Sequence, residues 1–167
     1  HVKVANQLIE AGASVDLQNK DGKTSLLLAC EKAHEGVAEQ LVERTAQAGA
    51  LDAQAGDKKR SALHWACDKG MAGTVAMLLS LGANCALADA DGNTPLHVAL
   101  TKGHVKVANQ LIEAGASVDL QDKDGSTPLH KAAAYGHVEV ANRLIEAGAS
   151  VDLQDKNGDT PLHVAAQ

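Results

Sequence analysis

The stretch TPLHKAAAYGH, residues 127–137, decides how this chain is read. Thr127 stands where a helix N-cap belongs, because its side-chain oxygen can accept from a first-turn backbone N–H. Pro128 follows at the first helical position, where its missing N–H leaves nothing unsatisfied. Leu129, Ala132 and Ala133 share one apolar stripe at helical spacing, and Gly136 supplies a stop. The preceding residues, DKDGS (Asp122–Ser126), read as a tight turn, since the glycine of Asp-Gly tolerates positive φ. Beyond the stretch, Val138, Val140, Ala141, Leu144 and Ile145 recur at the spacing of a helix with one inward face, and Gly148 ends it. Ala149–Gln154 reads as an extended connector into the next turn.

Working outward, the same opening recurs. TPLHVALTKGH occupies 94–104 and TPLHVAA occupies 160–166, so Thr94, Thr127 and Thr160 are 33 residues apart. Ser61 of SALHWAC lies another 33 residues back, and Thr24 of TSLLLAC lies 37 before Ser61. The four extra residues fall near Arg44–Gln47. Four residues make about one helical turn, so a lengthened helix is expected over Val37–Ala48. HVKVANQLIEAGASVDLQ stands at 1–18 and again, unchanged, at 104–121. A fixed period of this size marks a repeat architecture in which each unit buries its apolar face only against its neighbours. The expected division is one array over 1–167: a partial unit 1–18, units 19–55, 56–88, 89–121 and 122–154, and a partial unit 155–167.

The 33-residue period, the D-x-x-G-x-T-P-L-H-x-A-A pattern, the following G-H, V-A-x-x-L-I and E-A-G-A resemble the ankyrin repeat family. The resemblance covers almost the whole chain. It implies an all-α repeat solenoid of stacked helix-turn-helix units with projecting hairpin-like turns. It also implies a concave surface, made by turn tips and first helices, that grips protein partners, and a histidine after T-P-L that ties its own turn by hydrogen bonds. Two units depart from the pattern. In 19–55, Ser25 replaces Pro and Leu27 replaces His. In 56–88 the turn reads GDKKR, with Lys59 where sister turns hold Gly, which predicts an altered tip. The chain opens inside a second helix and stops at a first helix with no polar cap, so continuation in both directions is expected. The two half-units also suggest head-to-tail self-stacking of copies, a heterologous contact that need not close.

Composition narrows the chemistry. The net charge is −6, with no Phe, one Trp and one Tyr. An acidic chain argues against a phosphate-backbone binder, so no nucleic-acid partner is expected. Lys58-Lys59-Arg60 reads as a solvated loop, with the docking of an acidic partner as the lesser alternative. No apolar run reaches membrane-spanning length. The three cysteines lack CxxC spacing, and their unpaired state suggests an intracellular, cytoplasmic location. Cys30 and Cys67 read as small buried residues. The eight histidines fall into repeating registers: His64, His97, His130 and His163 in one, His1, His34, His104 and His137 in another. Repetition points to a structural role rather than a metal set, and no cofactor is expected. Phosphate-loop, nucleophile-elbow and zinc-helix motifs are absent, so the chain is read as no enzyme.

Function should then lie where otherwise similar units differ. At the turn tips these positions include Lys58 and Arg60, Asp91 and Asn93, and Lys123, Asp124 and Ser126. On the first-helix side they are Asp68 and Lys69, Thr101 and Lys102, and Tyr135. Tyr135 replaces Lys69 and Lys102 in register and should be exposed. Trp65 stands where sister units hold Leu28, Val98 and Val164; it reads first as a wedge between layers and second as a partner contact, aromatic residues being frequent interface anchors. The expected function is a non-catalytic scaffold that binds an unidentified protein partner through its concave face and turn tips. The alternative is a regulatory or targeting segment of a larger enzyme, channel or receptor.

Overall fold

The computed structural model describes residues 1–167 and contains ten α-helices with no named strand. It forms two compact units, His1–Asn84 and Cys85–Gln167.

The first unit contains α1 (Val2–Glu10), α2 (Ser25–Glu31), α3 (Glu35–Gln47), α4 (Ala62–Asp68) and α5 (Ala72–Ser80). The short helices α2 and α4 pack side by side, each against its own longer partner, α3 or α5; α3 also touches α1 and α5. Leu26, Leu27, Cys30, Ala38, Val42, Leu63, Ala66, Cys67, Val75 and Leu78 are all within 2% of full burial. Small and branched side chains fill this core because the helices of one layer must approach closely. The four-residue insertion lengthens α3 to thirteen residues, where α1, α5 and the later second helices have nine. Added length in multiples of one turn keeps the buried face in register, with Leu41, Val42 and Thr45 all turned inward.

The second unit repeats the plan with α6 (Pro95–Thr101), α7 (Val105–Glu113), α8 (Pro128–Ala134), α9 (Val138–Glu146) and α10 (Pro161–Ala165). Helices α6, α8 and α10 pack in sequence, and α7 lies against α9. Leu129 and Ala132 are buried as the stripe requires. Two positions of the expected second-helix face are not. Val138 is 71% exposed and Ile145 49% exposed, whereas Val140 and Leu144 are fully buried. Helix α9 packs against α8 and α7. The arc holding Val138 and Ile145 faces neither and meets solvent. The connector Ala149–Gln154 is not continuously extended either; it turns at Val151 and Asp152. Asp119, a connector residue, accepts the Ser150 N–H of the following repeat at 2.9 Å.

The regular turns are closed twice. Asp122 N–H donates to the Ser126 carbonyl and Gly125 N–H to the Asp122 carbonyl, both at 3.0 Å. The Asp122 carboxylate also accepts the N–H groups of Asp124 and Ser126. Asn19, Asp89 and Asp155 play the same part in their turns. Successive turns of the second unit are joined by backbone: Lys123 N–H donates to Asp91 and Lys156 N–H to Asp124. The GDKKR turn differs as expected. Gly56 takes the place of the Asp, so no carboxylate closes the loop; the Gln54 side-chain amide donates to the Lys59 carbonyl at 2.7 Å, and an isolated bridge pairs Ala55 with Arg60. Lys59 nevertheless keeps the left-handed conformation of the glycine it replaces, at φ 46°.

Candidate interaction surface

The repeated TPLH motif builds the frame on which surface residues are displayed. The Thr127 hydroxyl lies 2.8 Å from His130 Nδ1, and Thr127 N–H donates to the same nitrogen. Thr127 Oγ1 accepts the His130 backbone N–H in return. His130 thus does the work a glutamate does in an ordinary capping box. With Nδ1 accepting the Thr127 N–H, the imidazole proton sits on Nε2. That nitrogen is 3.0 Å from the Asp159 carbonyl of the next turn. His97 makes the equivalent link to the Ser126 carbonyl at 3.0 Å. The histidine therefore ties its own helix start and straps it to the following turn. The other histidine register works in the reverse direction: His137 Nε2 reaches back to the Leu100 carbonyl at 2.9 Å.

These groups are tuned for structure. Burial pushes His97 below the ordinary imidazole range, against the opposing pull of the Ser126 carbonyl, Asp122 and Asp89. Burial alone would raise the Asp122 carboxyl. The bonded Lys131 ammonium at 2.8 Å and the N–H groups of Ser126 and Asp124 outweigh it, and the carboxyl lies below its ordinary value. Burial pushes the Cys30 thiol up to about 12, so it stays a neutral packing element. No three His, Cys, Asp or Glu side chains converge into a metal-holding group.

In the first unit, five of the variable residues come together. Arg60 is not solvated; it is 8% exposed. Its guanidinium bonds to the Asp68 carboxylate at 3.1 Å and lies 5.0 Å over the Trp65 ring. Lys69 approaches the same ring at 5.8 Å and the same carboxylate at 3.1 Å. Trp65 is half-buried rather than enclosed. It floors an open hollow of about 220 Å³ whose walls are Lys23, Glu31, Ala55, Gly56, Asp57 and Lys58. The ring thus stands between its own repeat and the preceding one, with Arg60 and Lys69 packed on it and the turn tip Ala55–Lys58 beside the hollow. Lys23 and Glu31 belong to the preceding repeat and pair at 2.8 Å on the hollow's far wall, a meeting that spacing within one repeat does not give.

In the second unit the candidates are spread out. Asp91, Lys123 and Asp124 are exposed tips, with Asn93 and Ser126 half-buried behind them. Asn93 and Ser126 are committed to the turn, donating to Asp89 and Asp122 respectively. Thr101, Lys102 and Tyr135 are exposed at the opposite end of the first helices. Seven helical residues, about 10 Å, separate the tips from this group. Tyr135 is 53% exposed and stacks on His137 with ring centres 6.1 Å apart.

Two family models match the chain: "Ankyrin repeats (3 copies)" over residues 1–89 and 49–122, and "Ankyrin repeats (many copies)" over 111–165. The chain belongs to the ankyrin repeat family. Such repeats are generally protein–protein interaction modules. Among curated proteins, "Ankyrin repeat and SOCS box protein 16" of Mus musculus is 37% identical over 95 residues, which is 52% of this chain and 20% of that protein. The ankyrin array here thus spans about one fifth of the length of that relative. No helix is long and apolar enough to cross a membrane.

Proposed function

We propose that this ankyrin array is a non-catalytic binding scaffold that recognises a protein partner through its turn tips and the exposed sides of its first helices. One observation carries the reading. The framework positions repeat from unit to unit, while Trp65, Lys58 and Tyr135 break the repeat and keep solvent-accessible surface at the turns and first helices of their own units. Half-exposed aromatics flanked by charge are the usual anchors of an interface. Affinity capture followed by identification of the bound protein tests it. Changing Trp65 to Leu and Tyr135 to Ala should release that protein, whereas changing Glu39 and Glu43 on α3 to Gln should not. Release by the α3 changes alone would overturn the assignment of the face.

The Mus musculus relative carries its ankyrin repeats beside a SOCS box. That favours a second reading, in which the array is the targeting segment of a longer protein and brings a partner to activity located elsewhere. The binding face is the same in both readings.

Self-stacking is favoured by an internal comparison. VKVANQLIE forms both α1 and α7. In α7, Val107 and Leu111 are 1% and 0% exposed; in α1, the matching Val4 and Leu8 are 59% and 57% exposed. Leu8 lines an apolar hollow of about 460 Å³ between α1, α2 and α3. In the second unit α7 packs against α6, whose PLHVA is also the sequence of α10. The α10 helix of a second copy, with Leu162 77% exposed, fits that place. Sedimentation of the 167-residue chain should then show growth with concentration that Leu8→Glu abolishes. A constant monomer mass would refute the contact.

A further inference from the structure

The hollow over Trp65 has a chemistry of its own. The turn and first-helix segments 19–34 and 55–70 carry seven cations (Lys20, Lys23, Lys32, Lys58, Lys59, Arg60, Lys69) against four carboxylates (Asp21, Glu31, Asp57, Asp68), a balance of +3 in a chain of −6. The corresponding segments of the second unit, 89–104, 122–137 and 155–167, hold four cations and six carboxylates. Around the indole itself four cations (Lys23, Lys58, Arg60, Lys69) meet three carboxylates (Glu31, Asp57, Asp68), and Lys20, Lys32 and Lys59 add to the basic balance of the surrounding turns and first helices. Asp68 is shared between Arg60 and Lys69, and Glu31 is taken by Lys23. Lys58 stands exposed on the rim.

Resting on the scaffold reading above, we propose that the Trp65 hollow is the docking subsite for an acidic peptide segment bearing an apolar side chain. The apolar side chain enters the hollow against the indole, and flanking carboxylates meet Lys58 on the rim and Lys69 beside the ring. Three features fit this occupant. A hollow of about 220 Å³ holds one or two side chains rather than a folded domain. The ring is held rigidly, because Arg60 packs on it and is itself fixed by Asp68, so little order is lost on binding. The turns and first helices around the hollow carry +3 in a chain of −6, which steers an acidic segment toward this part of the surface. A polyphosphate chain fits less well, because it brings no apolar side chain to the indole and the hollow lacks a run of unpaired cations to follow its backbone.

Trp65 is the only tryptophan, so its fluorescence reads the site directly. The probes are three ligands free of aromatic side chains or indole: the peptide EELEEL, its counterpart KKLKKL, and a thymidine hexanucleotide. EELEEL should shift the emission saturably, and more weakly at about 300 mM than at about 50 mM salt. KKLKKL and the oligonucleotide should not. Lys58→Glu should weaken EELEEL binding by about tenfold, while Lys106→Glu, exposed on α7 of the other unit, leaves it unchanged. Calorimetry with Trp65→Leu, the residue type a sister unit carries at that position, should show a similar loss. No saturable shift with EELEEL, an equal shift with either other probe, or full affinity in the Lys58 variant would each overturn the proposal. The scaffold reading fails separately: it falls if the captured partner is insensitive to both Trp65 and Tyr135. A partner lost on Tyr135→Ala but indifferent to Lys58 would leave the scaffold standing and remove this subsite.

Discussion

Replacing two glycines by alanine separates what a turn needs from what the stack needs. Gly125 and Gly136 both sit at positive φ, +81° and +67°. An alanine there carries the left-handed penalty of about 1–2 kcal/mol, reduced by about 0.4–1 kcal/mol because alanine also restricts the unfolded chain. That net cost, under about 1.5 kcal/mol, is common to both sites. Only Gly125 faces a neighbour. A Cβ at Gly125 would lie 2.9 Å from Lys156 N, 3.1 Å from Asp155 Cα and 3.2 Å from Asp155 C, all backbone atoms that cannot swing aside. A Cβ at Gly136 meets nothing within 4 Å. The next turn must therefore retreat from the methyl group that Gly125→Ala introduces, weakening the Lys156 N–H bond to the Asp124 carbonyl at 2.9 Å. That bond alone contributes about 0.5–1.5 kcal/mol, and the displaced backbone adds to the loss. Gly125→Ala should thus be about 1–3 kcal/mol more destabilising than Gly136→Ala, read as the difference in urea midpoints by circular dichroism. Amide exchange locates the effect: Lys156 should lose protection in the Gly125 variant and keep it in the Gly136 variant. Equal destabilisation, with Lys156 exchange unchanged in both, would refute the claim that the turns are stacked backbone to backbone.

Three further outcomes are expected. Leu129→Ala should cost about 2–5 kcal/mol, because Leu129 is 4% exposed in a helix packed by α6, α9 and α10; chemical denaturation measures it. Ala33, at φ 56°, occupies the place of Gly70, Gly103 and Gly136, so Ala33→Gly should stabilise the first unit by up to about 1 kcal/mol, visible as a higher melting temperature. His97 is held neutral in the fold, so the unfolded chain takes up a proton first, near pH 6.5. Its contribution is full above that pH and is lost as pH falls toward the lower folded value. The urea midpoint should drop between about pH 7 and pH 5, and His97→Gln should flatten that drop while lowering the midpoint at neutral pH.

Much of this molecule was legible in its letters because the decisive signals are local. Thr or Ser, then Pro or Ala, then Leu and His start a helix within four residues, and period 33 says that each such start serves a neighbour of the same kind. The lengthened α3 followed from counting, since four added residues complete about one turn. The capping role of the TPLH histidine came from likeness to a family, and the second half of its role, the strap from Nε2 to a carbonyl 29 residues on, did not come from sequence at all. Spacing within one unit says nothing of which atoms of the next lie within hydrogen-bonding reach. The same gap explains Val138 and Ile145, whose apolar periodicity marks a face without saying whether a helix covers it. It explains Arg60 and Trp65 most of all. A basic tripeptide in a loop looks solvated letter by letter; only the fold brings Asp68, eight residues away on α4, against Arg60 and sets the indole beneath it. Helix starts are decided by hydrogen bonds inside a few residues, and the proposed binding surface by the meeting of side chains that the chain itself keeps far apart.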